Sequence, residues 1–201
     1  MLEALAKELE GRFGVEVILE PSPAVLKKPH VRLLPELIER ERQGGHVVLQ
    51  DNITLTTTDD QGNQVQVPGA RIGIPYKVTI PVKLVFRSFG ANVQGSFLAQ
   101  VLKYSFLLSR VLEKEIKVVL GELQPEEGVL VRGDAFAVFR REEKGKFYNV
   151  AENEEREAQM FMYEEMWQGS FMFLAYDVYE VPKVQQVTAT NKATGSQISV
   201  P

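Results

Sequence analysis

Residues 76–89, YKVTIPVKLVFRSF, constrain this chain more than any other stretch. Tyr76, Val78, Ile80, Val82, Leu84, Phe86 and Ser88 share one parity, and Lys77, Thr79, Lys83 and Arg87 the other. A repeat of two sustained over that length predicts a β-strand buried on one face. The strand would measure ~40 Å if straight, well beyond the usual strand. Pro81 sits mid-strand on the polar face and has no N–H to give a ladder. It predicts an edge strand or a bulge at that point.

The flanking sequence supplies the other elements. Leu2, Leu5, Ala6, Leu9 and Phe13 fall at helical spacing and Gly14 stops them, which predicts a helix over Leu2–Phe13. VEVILEP alternates and predicts a strand over residues 15–19. Residues 22–35 read as a proline-rich basic loop with Lys27, Lys28, His30 and Arg32. Pro35 is placed to open a short helix, LPELIERERQ, ended by Gly44 and Gly45. A Val, Ile and Thr run over residues 46–58, the turn DDQGN and the answering QVQV predict a long hairpin. VPGARIGIP reads as a further loop. After residues 89–95, Ser96 is the expected N-cap of a helix whose apolar positions include Phe97, Leu98, Val101, Leu102, Leu108 and Leu112. That stripe is wide enough to require cover from the sheet and from a neighbour. EIKVVLGE, VLVRG, DAFAVFRRE, AQMFMYEE and QGSFMFLAYDVYEV read as strands. The last is apolar on both faces, with Met172, Leu174, Tyr176 and Val178 on one and Phe171, Phe173 and Ala175 on the other. Strands of that kind are covered on both sides.

The order is therefore α+β: a mixed, mainly antiparallel sheet with an N-terminal and a central helix packed on it. One domain is expected over residues 1–181, with a flap at about 43–75 and a charged excursion at about 142–157. An extended C-terminal arm follows over 182–201. Val184, Val187, Ile198 and Val200 could pair as an added strand on the sheet edge of a neighbouring subunit.

The chemistry search is mostly negative. The chain has no cysteine, which removes disulfides, thiolate catalysis and thiolate-bound zinc. Its net charge of −4 argues against a general nucleic-acid or membrane-surface binder. No apolar run reaches the ~20 residues of a membrane span, and the N-terminus lacks the basic start and apolar core of a signal peptide. His30 and His46 are the only histidines, neither has a metal-ligand spacing, and structural or solvated roles are expected. EEKGKF lacks the distal glycine and the hydroxyl residue of a P-loop, and no GxGxxG occurs. Glu126 with Glu127, and Glu164 with Glu165, could be read as carboxylate pairs, but neighbours on a strand face opposite ways and cannot converge. No catalytic, cofactor-binding or metal-binding residue is assigned. Trp167 reads as a core or interface anchor. Trp167, Phe171, Phe173, Val184, Val187 and Ile198 are the interface candidates.

The segment IPVKLVFRSFGANVQGSFLAQVLKYSFLL, an alternating strand, a short polar turn and a helix, resembles the tail terminator proteins of long-tailed bacteriophages. WQGSFMFLAYDVYEV looks like the last sheet strand of such proteins. Tail tube and head–tail connector proteins share a similar core. The resemblance implies a non-enzymatic virion protein without cofactors, assembled in the host cytoplasm. Its partners would be itself, as a hexameric ring, then the tail tube protein and a head–tail connector, with DNA only passing through the lumen. A tube or connector subunit is the alternative, and an unrecognised enzyme the more remote one.

Overall fold

The computed structural model describes residues 1–21, 28–59, 61–90, 95–150, 160–183, 187–190 and 197–200. Helix α1 (Leu2–Phe13) buries Leu5, Ala6, Leu9 and Phe13, the positions its spacing predicts. Gly14 ends it in the left-handed region at φ 65, donating its N–H to the Glu10 carbonyl. A residue with a Cβ is strained there, which is why the chain breaks at this glycine.

Strand β1 (Glu16–Leu19) pairs in parallel with β2 (His30–Pro35), and β2 pairs antiparallel with β5 (Gln64–Gly90). Strands β3 (Glu39–Arg42) and β4 (Val47–Thr58) lie beyond β2 along the same side of β5. β8 (Met160–Pro182) covers the other side of β5, followed by β7 (Val129–Val150) and β6 (Ile116–Glu126). Helix α2 (Ser96–Leu112) carries the chain from β5 to β6. The result is a mixed, mainly antiparallel eight-stranded sheet with two helices, broadly α+β. α1 touches both β1 and β6, the first and last strands of the sheet order, so the sheet curls to bring its edges to one helix.

One face of this sheet is the core. Val78, Ile80, Val82, Leu84 and Phe86 of β5 and Trp167, Phe171 and Phe173 of β8 pack with Leu5, Leu9, Phe97, Val101 and Leu108 of the helices. Small residues make room where layers touch. A Cβ on Gly169 would lie 2.4 Å from Phe139 Cδ1, and one on Gly90 would lie 2.3 Å from Phe97 Cγ. The opposite face carries Met162, Met166, Met172 and Leu174 of β8 and remains half-exposed. The two-sided apolar pattern of the last strand is real, but both helices contribute to the core on one side only.

β5 is 27 residues long, or about 90 Å if straight. It holds three prolines, and each meets a gap in a neighbouring strand. The Pro81 carbonyl accepts from Glu36 N, between the end of β2 and the start of β3. The Pro75 carbonyl accepts from Gln43 N, between β3 and β4. The Pro68 carbonyl accepts from Lys183 N, where β8 ends. In a strand the carbonyl and the nitrogen of one residue point to the same side. Each missing N–H therefore faces a break in the ladder, where its loss costs least. The expected edge or bulge at Pro81 is corrected accordingly. β5 is an interior strand whose neighbour is interrupted.

Other expectations are also corrected. LPELIERERQ forms no helix: Pro35 ends β2, and Glu39–Arg42 is strand β3, because β5 offers a free edge that overrides helix propensity. VPGARIGIP is not a loop but part of β5. Ser96 is the first residue of α2 and Gly95 is the cap, with no side-chain cap bond. VLVRG, DAFAVFRRE and residues 142–150 of the charged excursion form the single strand β7, bent by register shifts between Val131 and Phe136, Arg141 and Glu143, and Glu143 and Lys146. AQMFMYEE and QGSFMFLAYDVYEV merge from Met160 into β8. Among the described residues beyond Lys183, β9 (Val187–Thr190) and β10 (Gln197–Val200) pair antiparallel with one another.

Candidate functional site

The outer surface of α2 leaves a row of apolar side chains unclaimed. Phe97, Val101, Leu108 and Leu112 turn into the core. Leu98, Leu102 and Phe106, each one turn after the last, turn outward, and Phe106 is 74% exposed. Every charge on the helix is positive: Lys103 and Arg110 flank the stripe, both exposed, and no acidic residue lies within Ser96–Leu112. The sequence makes α2 apolar nearly all round, so the inward face cannot be read from periodicity alone. Aromatic contacts fix it instead. Phe86 meets Tyr104 with ring centroids 5.4 Å apart, and Phe97 meets Phe147 edge-on at 6.1 Å.

A second apolar projection lies on the far flank of the sheet. At the corner between β2 and β3, Leu37 is 89% and Ile38 is 61% exposed. Glu36 and Glu39 bracket the pair, and both are exposed. Ile38 and Arg40 both stand at the rim of an apolar hollow of about 480 Å³ lined also by Met1, Tyr76, Val78, Ile80 and Phe173. A polar hollow of about 570 Å³ lies between β4 and β6, where Arg71 pairs with Glu180 at 2.9 Å and Arg132 with Glu122 at 3.1 Å. These exposed pairs neutralise one another and leave no free cation there.

Beneath α2 lies a buried polar network. Glu165 is 1% exposed. Its Oε2 accepts from the Tyr163 hydroxyl at 2.7 Å and its Oε1 from Trp167 Nε1 at 3.0 Å. Arg141 closes an ion pair to Oε1 at 3.1 Å and lies over the Trp167 ring. Ser105 of α2 hydrogen-bonds the Tyr163 hydroxyl. Burial, with the bond to Glu165, pushes the Tyr163 phenol up to about 12, so it remains a donor. Glu164, one residue earlier, faces the other way and meets Arg87 Nε at 2.7 Å. The two carboxylates diverge, as strand geometry requires. Among the described residues no cluster of three metal-ligating side chains occurs.

Trp167, Phe171 and Phe173 fill the chain's own core, and Phe173 also floors the apolar hollow. Val184 lies outside the described residues. Val187 opens β9 opposite Val200, and Ile198 of β10 stands opposite Ala189. Leu98 and Leu102 belong to the stripe expected to need a neighbour's cover, but neither they nor Phe106, Leu37 and Ile38 are among the named interface candidates. Their only signal was apolar character on elements that had enough apolar residues already.

His30 is structural. It is 1% exposed, its Nδ1 donates to the Lys28 carbonyl at 2.9 Å, and its Nε2 accepts from Arg32 Nε at 3.3 Å. The ring stacks on Phe89 with centroids 6.1 Å apart. Burial holds its pKa below the ordinary value, helped by Arg32 and Arg87 and opposed by the Lys28 carbonyl and by Glu16. A lowered pKa means that the unfolded chain takes up the proton first as pH falls. Stability therefore declines once pH drops below about 6.5. Urea unfolding at about pH 7.5 and about pH 5.5 should show a lower midpoint at the acid value. His30→Gln should flatten that decline, and an unchanged slope in the variant would reject the assignment.

No family model matches the chain, and no curated protein matches it.

Proposed function

We propose that this chain is a non-enzymatic structural subunit that assembles into a ring, in the role of the phage tail terminators its sequence resembles. The observation that carries this reading is the outward stripe of α2. Leu98, Leu102 and Phe106 expose a continuous apolar row on a helix whose other side is already packed. Such a row on a well-packed domain is a contact surface that association would remove from water. The half-exposed methionine face of β8 and the outer edges of β1 and β6, which pair with no further strand among the described residues, add surface for association.

On this reading the β4–β5 hairpin is a flap, both helices pack on the lumen-distal or lumen-proximal side together, and the segment beyond Lys183 serves as an arm. The partners are other copies of the chain in a hexamer, the tail tube protein below and a head–tail connector above. DNA passes through the lumen without being held, and the protein resides in the virion after assembly in the host cytoplasm. A tube or connector subunit is the neighbouring alternative.

Sedimentation and negative-stain imaging of the purified protein test the reading. Closed rings of one subunit number are expected, and a monomer at every concentration would overturn it. Addition to polymerising tail tube protein then distinguishes the roles. A terminator arrests tube growth, whereas a tube subunit is incorporated along the tube.

A further inference from the structure

We propose that the Leu37–Ile38 corner of one copy docks on the outward stripe of α2 of the next copy. This contact rests on the ring reading and specifies its interface. Four observations bear on it.

The first is apolar matching. Among the described residues Leu37 and Ile38 are the most exposed adjacent apolar pair outside the helices, and α2 offers a row of three side chains over ~12 Å, one per turn. A two-residue knob spans at most ~7 Å of chain and seats against part of that stripe.

The second is charge. The corner is bracketed by Glu36 and Glu39, and α2 by Lys103 and Arg110. Neither cation forms a salt bridge among the described residues, and neither do the two acids. Docking sets acid against base at the rim of an apolar contact, the arrangement that fixes register and partner.

The third is position. The corner belongs to the flank of β5 that carries β2 and β3, and Glu36 bonds Pro81 there. α2 starts against Gly90 and leads into β6, the strand at the other end of the sheet order. Nine residues of strand, ~30 Å, separate Pro81 from Gly90. The two surfaces lie apart in one copy and are available to two different neighbours.

The fourth is the alternative. An α2–α2 contact would bring Lys103 and Arg110 against the same cations of the partner, with no acid on the helix to offset them. Corner-to-helix docking is head-to-tail, and head-to-tail contacts close into rings when the rotation allows.

The absence of native cysteine makes the contact directly testable. Glu36→Cys and Ala99→Cys place single thiols on the two exposed surfaces without touching the apolar side chains. Each variant alone, and the two mixed, would be treated with a short bismaleimide. Covalent dimers are expected only in the mixture, and a ladder of multimers in the double variant. Dimers from Ala99→Cys alone would show a helix-to-helix contact and overturn the proposal. Rings of normal size with no cross-link in the mixture would overturn the contact and leave the ring reading standing. Monomers throughout would overturn both. Charge reversal gives an independent readout. Glu36→Lys with Glu39→Lys should weaken association at least tenfold without changing the thermal midpoint. Adding Lys103→Glu with Arg110→Glu should restore it, and failure of that rescue would count against the pairing.

Discussion

Glu165→Ala will destabilise the fold by about 3–5 kcal/mol, the range for breaking a buried charged network by removing one partner. Three donors converge on that carboxylate: the Tyr163 hydroxyl, Trp167 Nε1 and Arg141. Without it, Trp167 Nε1 is left buried without an acceptor and the Tyr163 hydroxyl keeps only Ser105 as a partner, and each orphaned donor costs about 1–3 kcal/mol. Arg141 is 39% exposed at its side chain and can turn to water, which limits its share of the loss. Glu165→Gln should fall between the parent and the alanine variant, because it keeps one acceptor oxygen but presents an amide N–H₂ to donors. Denaturant unfolding measures all three. A cost below about 1 kcal/mol for Glu165→Ala would mean that the network contributes little beyond filling space. Assembly need not change in either variant, since Glu165 lies inside the subunit.

Leu84→Asp will prevent folding. Leu84 is fully buried on β5, opposite Leu33 of β2 and Trp167 of β8. Deleting a buried leucine side chain costs about 2–5 kcal/mol, and an unpaired buried carboxylate adds several more. Against a total stability of about 5–15 kcal/mol, that loss is decisive. Thr79→Asp provides the control, because Thr79 lies on the opposite, half-exposed face of the same strand. Circular dichroism should show native strand content for Thr79→Asp and none for Leu84→Asp. Native spectra from both would mean that the face assignment of β5 is wrong.

That face assignment was legible in the sequence because apolar and polar residues alternate cleanly from Tyr76 to Ser88. The N-terminal helix was legible for a similar reason, with its spacing and its stop at Gly14 in agreement. The turn at Asp59 was legible too: its carboxylate accepts from Gln61 N at 2.9 Å and Asn63 N at 2.8 Å. Strand lengths were not legible. β7 and β8 each read as two strands, because Gly133 and the residues near Gly169 look like turn signals. In the fold Gly133 takes φ 98 at a bulge, and Gly169 leaves room for the Phe139 ring. A glycine that bends a strand and one that ends it look alike in a single sequence. The Pro35 region failed for a different reason. Its propensities favour a helix start, but the open side of β5 supplied ladder partners that local sequence does not show.

The candidate surface was the least legible part. On β8 both parities are apolar, so alternation grouped Phe171, Phe173 and Ala175 on one face without saying which face is covered. The helices cover that one, and the methionine face is the exposed side. On α2, Leu102 and Leu108 carry the same side chain, yet one is outside and the other inside. Only the tertiary placement of Phe86 and Gly90 beneath the helix decides between them.

The prolines of β5 bear on how so long a strand finds one alignment. Sliding β5 by two residues against its neighbours on both sides keeps every apolar side chain on its proper face, so burial discriminates poorly between such alignments. Prolines at 68, 75 and 81 remove that ambiguity. Any slide moves at least one ring from a gap to a position opposite an unbroken neighbour, where a carbonyl then lacks its donor. They act as the teeth of a key: the strand enters the sheet at one setting, and the spacing of its gaps cuts the lock.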